Sequence, residues 1–473
     1  METDIGRNRN RNRNRSRETG QTNQNDSTFE TASAAAMGLD NNWLREMQSK
    51  MEKKPTLLGE KAGKSSCCIF RVPQSLVEIN EKAYHPRIVS IGPYHHGSKG
   101  LKMIEEHKWR FLRSLFDGNS DPWGNIGLCF QAVASLEADI RECYSETNRF
   151  TSQELVEMMV LDGCFVIELV RKVVKLVPID PEDPIFKMDW ILPFVMRDLL
   201  KLENQIPFFV LEKLYEISVP DPSPRYSLPI LILQFFSFSL ERPGKVRNNE
   251  RSFDGKHLLD LVRESFRPQL REQQPTARDK AKRHLQFIQP AKKLDRAGIK
   301  FETRKRSNSC FLDVKFSNGV LKIPPLRMDD FITCFILNCV AFEQCYGHCE
   351  KFVTDYATFM GCLINNPSDA GFLSDHKIIE NYYGTYEEVT RFFDKVGKDV
   401  AFDLGKSYLS QLIKDVNEYY WNDWHVRWAS FKHTYFDTPW SFMSALAALI
   451  LLILTMIQSF LAYYAYRHPP KPS

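Results

Sequence analysis

Two adjacent histidines and two carboxylates in apolar stretches are the residues of this sequence best suited to chemistry. His95 and His96 follow Gly92-Pro93-Tyr94, and imidazoles in a loop can transfer protons near pH 7. Asp162 and Glu203 occur among apolar residues, where a carboxylate needs a cation or backbone amides as partners. If His95, Asp162 and Glu203 converged on one pocket, they could form an unassigned catalytic site. If each had its own partner, their roles would be structural.

Further polar residues in the same stretches are His107, Glu168, Asn204 and Gln205. We expect Arg or Lys partners for Asp162 and Glu168, because both lie in an apolar helical pattern. The tripeptide Glu203-Asn204-Gln205 stands just before Pro207, a residue suited to a first helical position. Helix capping would explain the polarity of this tripeptide. A structural role is therefore the favoured interpretation of the whole set.

Familiar catalytic and cofactor-binding motifs are absent or fail on spacing. The sequence has no H-E-x-x-H, no G-x-S-x-G and no G-x-G-x-x-G. Gly405-Lys406-Ser407 resembles the end of a phosphate-binding loop, but Val400 occupies the position of the first glycine. Cys345, His348 and Cys349 could share a helix face, yet no C-x-x-C pair completes a zinc site. We therefore predict no cofactor and no metal, and we favour a protein without catalytic activity.

The longest apolar stretch of the chain, Thr438–Tyr466, predicts a membrane-spanning helix. It contains no Asp, Glu, Lys, Arg or His between Asp437 and Arg467. As a helix it would rise about 43 Å, whereas the hydrocarbon core of a bilayer is about 30 Å thick. Aromatic residues at its ends suit the headgroup region, and one mid-span glutamine could contact another helix. The residues expected in the bilayer include Trp440, Leu449, Leu452, Gln458 and Tyr463.

Composition favours a cytosolic location for the rest of the chain. No apolar segment suited to a signal peptide leads into the sequence. Eleven cysteines are scattered without a disulfide-like spacing, and the glycosylation sequon Asn25-Asp26-Ser27 lies in a polar tail. We expect a single-pass protein of the plasma membrane or endoplasmic reticulum, anchored in the bilayer by its C-terminal helix. A formal net charge of +4 gives no reason to expect nucleic-acid binding.

Changes of composition divide the chain into four parts. Residues 1–41 form an Arg/Asn-rich tail with too little apolar content to fold, so we predict disorder. Residues 42–437 form a helical domain, interrupted at about 241–310 by a basic insertion. A mobile, solvated surface segment is the favoured interpretation of this insertion, although an anionic lipid or an acidic partner could use its charge. The transmembrane helix occupies residues 438–466, and residues 467–473 form a short tail.

The spacing of apolar residues predicts helices through most of the domain. Thr151 or Ser152 can cap the helix that contains MMVLDGCFVIELV, which is apolar almost all round and so predicts a core helix. Alternating apolar residues around Asn318-Gly319 predict a β-hairpin within Phe311–Ile323. The fold class is therefore mainly α, a large helical domain with a small β-hairpin element and one C-terminal transmembrane helix. The predicted helices are Asn42–Lys53, Gln74–Lys82, Leu101–Leu115, Phe130–Tyr144, Ser152–Lys175, Trp190–Leu202, Phe208–Leu214, Met328–Cys345, Lys351–Asn365, Tyr386–Val396 and Tyr408–Phe431.

Several long strings of the sequence resemble one plant family. They are PRIVSIGPYHHG, EEHKWRFL, EMMVLDGCFVIEL, DLLKLENQIPFFVLEKLY, FLDVKFSNGVLKIPPL and PWSFMSALAALILLILT. Together they resemble the plant DUF247 (UPF0481) proteins over roughly Ile69 to Ala465, which is nearly everything beyond the Arg/Asn-rich head. So many long strings in order are far more specific than any short motif.

The resemblance implies a plant source and a mostly helical domain with one C-terminal membrane span. It brings no biochemical activity, because the family is named for lacking one, although some members are associated with self-incompatibility in grasses. We therefore expect a membrane-anchored protein of unknown activity that takes part in interaction, signalling or recognition through a protein partner. The alternative is a membrane-tethered enzyme with a site around His95, Asp162 and Glu203. The Arg/Asn-rich head and the basic residues from Arg267 to Arg306 depart from the usual pattern of the family.

Overall fold

The chain divides between Thr56 and Leu57 into two compact units. In the first unit, the described residues form helix α1, Asn41–Glu52, and its N-cap Asp40 accepts a hydrogen bond from the Asn42 amide at 2.9 Å. The second unit contains the other elements. The computed structural model describes residues 40–53, 59–118, 120–147, 149–219, 226–237, 239–240, 255–268, 286–304, 310–398, 400–422 and 439–467.

Helices make up most of the second unit, so the predicted mainly α class is confirmed. The predicted helix Phe130–Tyr144 is in fact divided, because two helices meet at Leu136. In chain order the helices are α2 (Gln74–Val77), α3 (Glu81–Tyr84), α4 (Lys102–Leu115), α5 (Pro122–Ser135), α6 (Glu137–Glu142), α7 (Ser152–Val173), α8 (Pro184–Lys187), α9 (Ile191–Asp198), α10 (Phe208–Ser218), α11 (Leu228–Phe236), α12 (Leu258–Glu264), α13 (Ala291–Arg296), α14 (Asp330–Cys345), α15 (Phe352–Leu363), α16 (Pro367–Asp375), α17 (Tyr386–Lys398), α18 (Ser410–Tyr420) and α19 (Pro439–Arg467).

Helix α7 lies at the centre of the first half of this unit. Thr151 caps it, since its hydroxyl accepts a hydrogen bond from the Glu154 amide at 3.3 Å and the Glu154 carboxylate accepts one from the Thr151 amide at 2.8 Å. Such a cap stabilises a helix by about 1 kcal/mol. Nearly all side chains from Leu155 to Val170 are buried, because α4, α5, α10 and α11 pack around the helix. The prediction of a capped core helix is confirmed.

Helices α14 to α17 form the second half of the core. Helix α14 is buried from Ile332 to Glu343. The carboxylate of its N-cap, Asp329, accepts hydrogen bonds from the first free amides of the helix, both at 2.9 Å. Helix α15 packs against α14 and α17, and α16 packs against α17. Helix α14 also packs against α3, α9 and α12, so both halves share one hydrophobic core.

Two small sheets complete the fold. Asn318 and Gly319 connect two antiparallel strands with φ angles of 51° and 75°, which are the positive values that a tight hairpin turn requires. The predicted hairpin is therefore confirmed. The parallel pairings of β1 with β3 and of β4 with β5 were not predicted, because a tight turn cannot join parallel strands and so no local turn signal marks them. The strands are β1 (Lys300–Thr303), β2 (Lys315–Ser317), β3 (Val320–Ile323), β4 (Leu326–Met328) and β5 (Ile379–Asn381).

Part of the predicted basic insertion, about 241–310, belongs to the core. Helix α12 buries its apolar side chains and also Arg263, whose Nη1 lies 3.1 Å from Oε1 of the buried Glu343. Helix α13 and strand β1 follow within the same stretch. The expectation of a mobile surface segment is therefore wrong for residues 255–268 and 286–304, because the apolar residues among the charges pack inward. Residues 241–254, 269–285 and 305–309 lie outside the described part of the chain.

Helix α19 is exposed wherever its side chains are described. Its window Leu446–Tyr464 has a mean hydropathy of 2.2, and none of that window is buried. By length and composition the helix can cross a bilayer. Leu449 and Leu452 are each more than half exposed, whereas the core helix of a soluble domain would bury such side chains. The side chain of Trp440, the head before residue 40 and the tail after residue 467 lie outside what the structure describes.

Candidate functional site

The predicted polar residues gather around a buried stretch of backbone, Arg87–Gly92, here named the core segment. Its residues from Ile88 onward are buried, yet no strand of the described sheets pairs with it. Buried amides and carbonyls still need hydrogen-bond partners. Side chains from distant elements supply them.

Asp198, the last residue of α9, binds the beginning of the core segment. Its Oδ2 accepts hydrogen bonds from the amides of Arg87, Ile88 and Val89 at 2.8, 2.8 and 3.2 Å. Its Oδ1 lies 3.0 Å from the Nζ of Lys201, and both side chains of this pair are at most 2% exposed. The buried carboxylate is thus compensated by one cation and three amides, as a buried charge must be.

Asn204 and Gln205 bind backbone groups but do not cap α10, the helix that follows them. Asn204 accepts a hydrogen bond from the Ile91 amide at 2.7 Å and donates one to the Val89 carbonyl at 3.1 Å. Gln205 donates to two carbonyls after α9, both at 2.8 Å. The N-cap of α10 is Pro207, which has no side-chain hydrogen bond. Capping of α10 is therefore wrong as an explanation. Asn204 pairs with backbone of the core segment, whereas Gln205 binds the end of α9 and accepts a hydrogen bond from the Leu259 amide, in the first turn of α12, at 3.2 Å.

Asp162 and Glu168 on α7 have the cationic partners that the sequence predicted. Asp162 Oδ1 lies 2.5 Å from the Nζ of Lys108, and Asp162 Oδ2 accepts a hydrogen bond from the Gly92 amide at 2.7 Å. Lys108 is itself buried and also donates to a core-segment carbonyl at 2.6 Å. Glu168 lies 3.0 Å from Arg171. Both carboxylates therefore belong to ion pairs.

Glu203 belongs to an ion cluster that includes His95. One carboxylate oxygen lies 2.8 Å from Nη1 of Arg71 and 3.1 Å from Nε2 of His95, while the other accepts a hydrogen bond from the Val72 amide at 2.8 Å. Burial alone would raise the pKa of Glu203, but the donors of His95, Val72 and Arg71 lower this pKa to about 2. Glu203 is thus an anion near neutral pH, which suits a structural ion pair better than proton transfer.

The two remaining histidines lie apart from this cluster. His96 is exposed and meets the ring of Phe150 edge-on, with the ring centroids 5.6 Å apart. Nδ1 of the half-buried His107 lies 3.1 Å from Nη2 of Arg110. Burial and this neighbouring guanidinium lower the pKa of His107. Neither histidine contacts Asp162 or Glu203.

The predicted residues His95, Asp162 and Glu203 lie outside the two cavities that the structure describes. Each of these side chains instead has its own partners around the core segment. Within the described ranges, no group of three His, Cys, Asp or Glu side chains could hold a metal ion. In this arrangement, charged and amide side chains supply the hydrogen bonds that the buried backbone of the core segment needs.

The sequence-based prediction missed the cations and one carboxylate of this arrangement. A signal for Asp198 and Lys201 is present, since the two charges lie three residues apart in an otherwise apolar run. Lys108 and Arg71 have no such signal. Their partners come from residues 54 and 132 positions further along the chain, a distance that periodicity does not reach.

Comparison with known proteins covers the whole of this arrangement. The family model for DUF247, a plant protein of unknown function, matches residues 69–454. The chain belongs to the DUF247 family. The predicted resemblance is thus confirmed. The function of the family is unknown, so membership assigns no biochemical activity to this DUF247 protein.

Two proteins of Arabidopsis thaliana are similar to this DUF247 protein. The UPF0481 protein At3g47200 is 42% identical over 447 residues, which cover 90% of this chain and 92% of that protein. The putative UPF0481 protein At3g02645 is 21% identical over 487 residues, which cover 83% of this chain and 89% of that protein. No solved structure matches this DUF247 protein.

The Glu203 cluster predicts a change of stability with pH. The pKa of the Glu203 carboxyl group is lower in the folded protein than in the unfolded chain. Ionised Glu203 therefore stabilises the fold above about pH 4.5, and this stabilisation is lost as the pH falls towards about 2. Glu203→Gln should therefore lower the free energy of unfolding at pH 7 by about 2–3 kcal/mol. The difference from the wild type should shrink steadily between pH 5 and pH 2. Urea unfolding of the full chain in detergent measures this, and an equal pH dependence in the exposed control Glu78→Gln would contradict it.

Proposed function

We propose that this DUF247 protein is a membrane-anchored component that presents its helical domain to a protein partner and catalyses no reaction. The observation that carries the proposal is helix α19, an apolar helix of 29 residues whose described side chains are all exposed. Exposing so much apolar surface to water is unfavourable, whereas a bilayer would cover it. We place the span in the plasma membrane or endoplasmic reticulum, with the helical domain in the cytosol.

The buried polar residues support an interaction role over catalysis. His95, Asp162 and Glu203 are the residues on which a membrane-tethered enzyme would depend. Each is held by structural partners, and neither described cavity reaches them. The cysteines of the described domain are all free thiols, most of them buried, which agrees with a reducing compartment. A protein partner that binds the surface of the domain requires no catalytic pocket.

Fractionation of full-length protein fused to a proximity-labelling enzyme tests the proposal in plant tissue. The wild type should remain in the membrane pellet after carbonate extraction and label a reproducible set of neighbouring proteins. Leu449→Lys/Leu452→Lys should release it to the supernatant, because each charge at a helix centre costs about 2.5–3.5 kcal/mol of insertion. Leu449→Ile/Leu452→Ile is the matched control and should stay in the pellet.

Three results would count against the proposal. A wild type that is extracted by carbonate would refute the anchor. Protection of the helical domain from protease in sealed vesicles would refute the cytosolic orientation. A labelling pattern identical to that of a membrane-tethered label alone would remove the support for a specific partner.

A further inference from the structure

A cavity of about 200 Å³ opens in the domain, and no residue of the Glu203 cluster lines it. Its lining comes from residues 79–87, helix α9, the beginning of α14 and helix α17, together with Lys201 and Tyr383. Helix α14 packs against α3 and α9, so the elements that form this wall are held by the common core. The cavity is therefore a built feature of the fold and not a gap between loose loops.

The wall of this cavity is strongly cationic. Six Lys or Arg residues line it against three Asp or Glu. Of the carboxylates, Asp198 is already compensated by Lys201, and Asp330 lies 3.5 Å from Arg197. A cleft lined by charges of one sign raises the local concentration of counter-ions, here anions.

Four of these cations have no carboxylate partner. Lys82, Arg87, Arg391 and Lys395 form no ion pair with any residue that the structure describes. Arg391 and Lys395 lie one turn apart on α17, so like charges stand side by side there. Like charges at this spacing are mildly destabilising in a helix, and the third carboxylate of the lining, Glu388, lies three residues before Arg391 on α17. The cations are thus available to a ligand.

An apolar surface lies beside the cations. The ring of Phe194 has the guanidinium carbons of Arg87 and Arg197 at 5.5 and 4.3 Å from its centroid, and Phe392 and Ile79 also line the cavity. Cation–π contacts of this kind hold guanidinium groups in place before a ligand arrives. A ligand that fits both surfaces carries an anionic group and a small apolar group.

We propose that this cavity binds a small organic phosphate monoester. A phosphate monoester carries a charge between about −1.5 and −2 near pH 7 and has three strong acceptor oxygens, which match several cations better than a single carboxylate does. Guanidinium groups also recognise phosphate through paired hydrogen bonds. The volume is below the range of about 300–1,000 Å³ that drug-sized ligands occupy, so the organic group is small. This inference does not depend on the membrane anchor.

Binding of phenyl phosphate to the full-length protein in neutral detergent micelles tests the proposal by isothermal titration calorimetry. Phenyl phosphate should bind saturably at one site and more tightly than either inorganic phosphate or benzoate at the same ionic strength. Arg391→Glu/Lys395→Glu should weaken this binding at least about tenfold, because two charge-assisted contacts are replaced by repulsion. Both side chains are exposed, and the neutral pair Arg391→Gln/Lys395→Gln should show an intermediate loss.

The matched control is Lys99→Glu/Lys102→Glu, which makes the same charge change at exposed positions outside the cavity. It should bind phenyl phosphate like the wild type. Equal weakening in the control, or equal affinity for benzoate and phenyl phosphate, would overturn the proposal. Binding to vesicles that contain phosphatidic acid, not displaced by phenyl phosphate, would also overturn it, because the headgroup of a membrane lipid would then be the ligand.

Discussion

Asp198→Ala is expected to lower the free energy of unfolding by about 4 kcal/mol, enough to remove a large part of the stability of a typical domain. The substitution leaves the buried Lys201 ammonium without its carboxylate partner and removes the hydrogen-bond acceptor of three amides of the core segment. Breaking a buried ion pair by removing one partner costs about 3–5 kcal/mol. Each buried amide that loses its acceptor adds to this loss.

Urea unfolding of the full chain in detergent, followed by tryptophan fluorescence, measures the effect of Asp198→Ala. Asp198→Asn should be less damaging, because its carbonyl can still accept from the core segment although the charge is lost. Glu182→Ala is the matched control, since it removes an exposed carboxylate 2.5 Å from Lys187. Exposed pairs contribute about 0–1 kcal/mol. A similar small loss for Asp198→Ala would show that the core segment does not depend on this carboxylate.

The buried hydrogen bonds and ion pairs around the core segment could not be predicted from the sequence. The 3.6-residue period recovered α4 and α7 almost to the residue, and the Asn-Gly turn recovered the hairpin, because both signals are local. The pairing of β4 with β5 joins residues about fifty positions apart. No local pattern encodes that pairing.

The basic insertion is an instructive error. Its high density of Lys and Arg outweighed a short apolar run, LLDLV, in the middle of the charges. In the structure that run forms the first five residues of α12, all of them buried, and Arg263 within the same helix is paired with the buried Glu343. The average charge of a long sequence window therefore does not reveal a short buried helix within it. The charge of a residue also does not decide its burial when a partner eighty positions away can compensate it.

The polar tripeptide before Pro207 was misread for a related reason. Glu203, Asn204 and Gln205 looked like cap residues because caps are the usual local explanation for polar residues before a helix. Their actual partners lie in the core segment, in Arg71–Val72, at the end of α9 and at the start of α12. The amino-acid types indicated unpaired backbone correctly, but only the fold shows which backbone it is.

Gly92→Ala should destabilise the protein by about 3 kcal/mol. Gly92 has a φ of 76°, and an added Cβ would lie 2.4 Å from the backbone carbonyl oxygen of Gln205, which cannot move without breaking the ties around it. The left-handed conformation alone costs an L-residue about 1–2 kcal/mol, and overpacking adds about 1–3 kcal/mol.

Gly97→Ala separates the two contributions to the effect at Gly92. Gly97 has nearly the same φ, 78°, but a Cβ added there would meet no atom within 4 Å. This control should therefore lose only the conformational cost of about 1–2 kcal/mol. Parallel urea unfolding of the two variants gives the difference, which we expect to be at least about 1 kcal/mol. Equal losses would mean that the core segment can move away from Gln205, and the rigid buried backbone inferred from Asp198, Asn204 and Asp162 would then have to be abandoned.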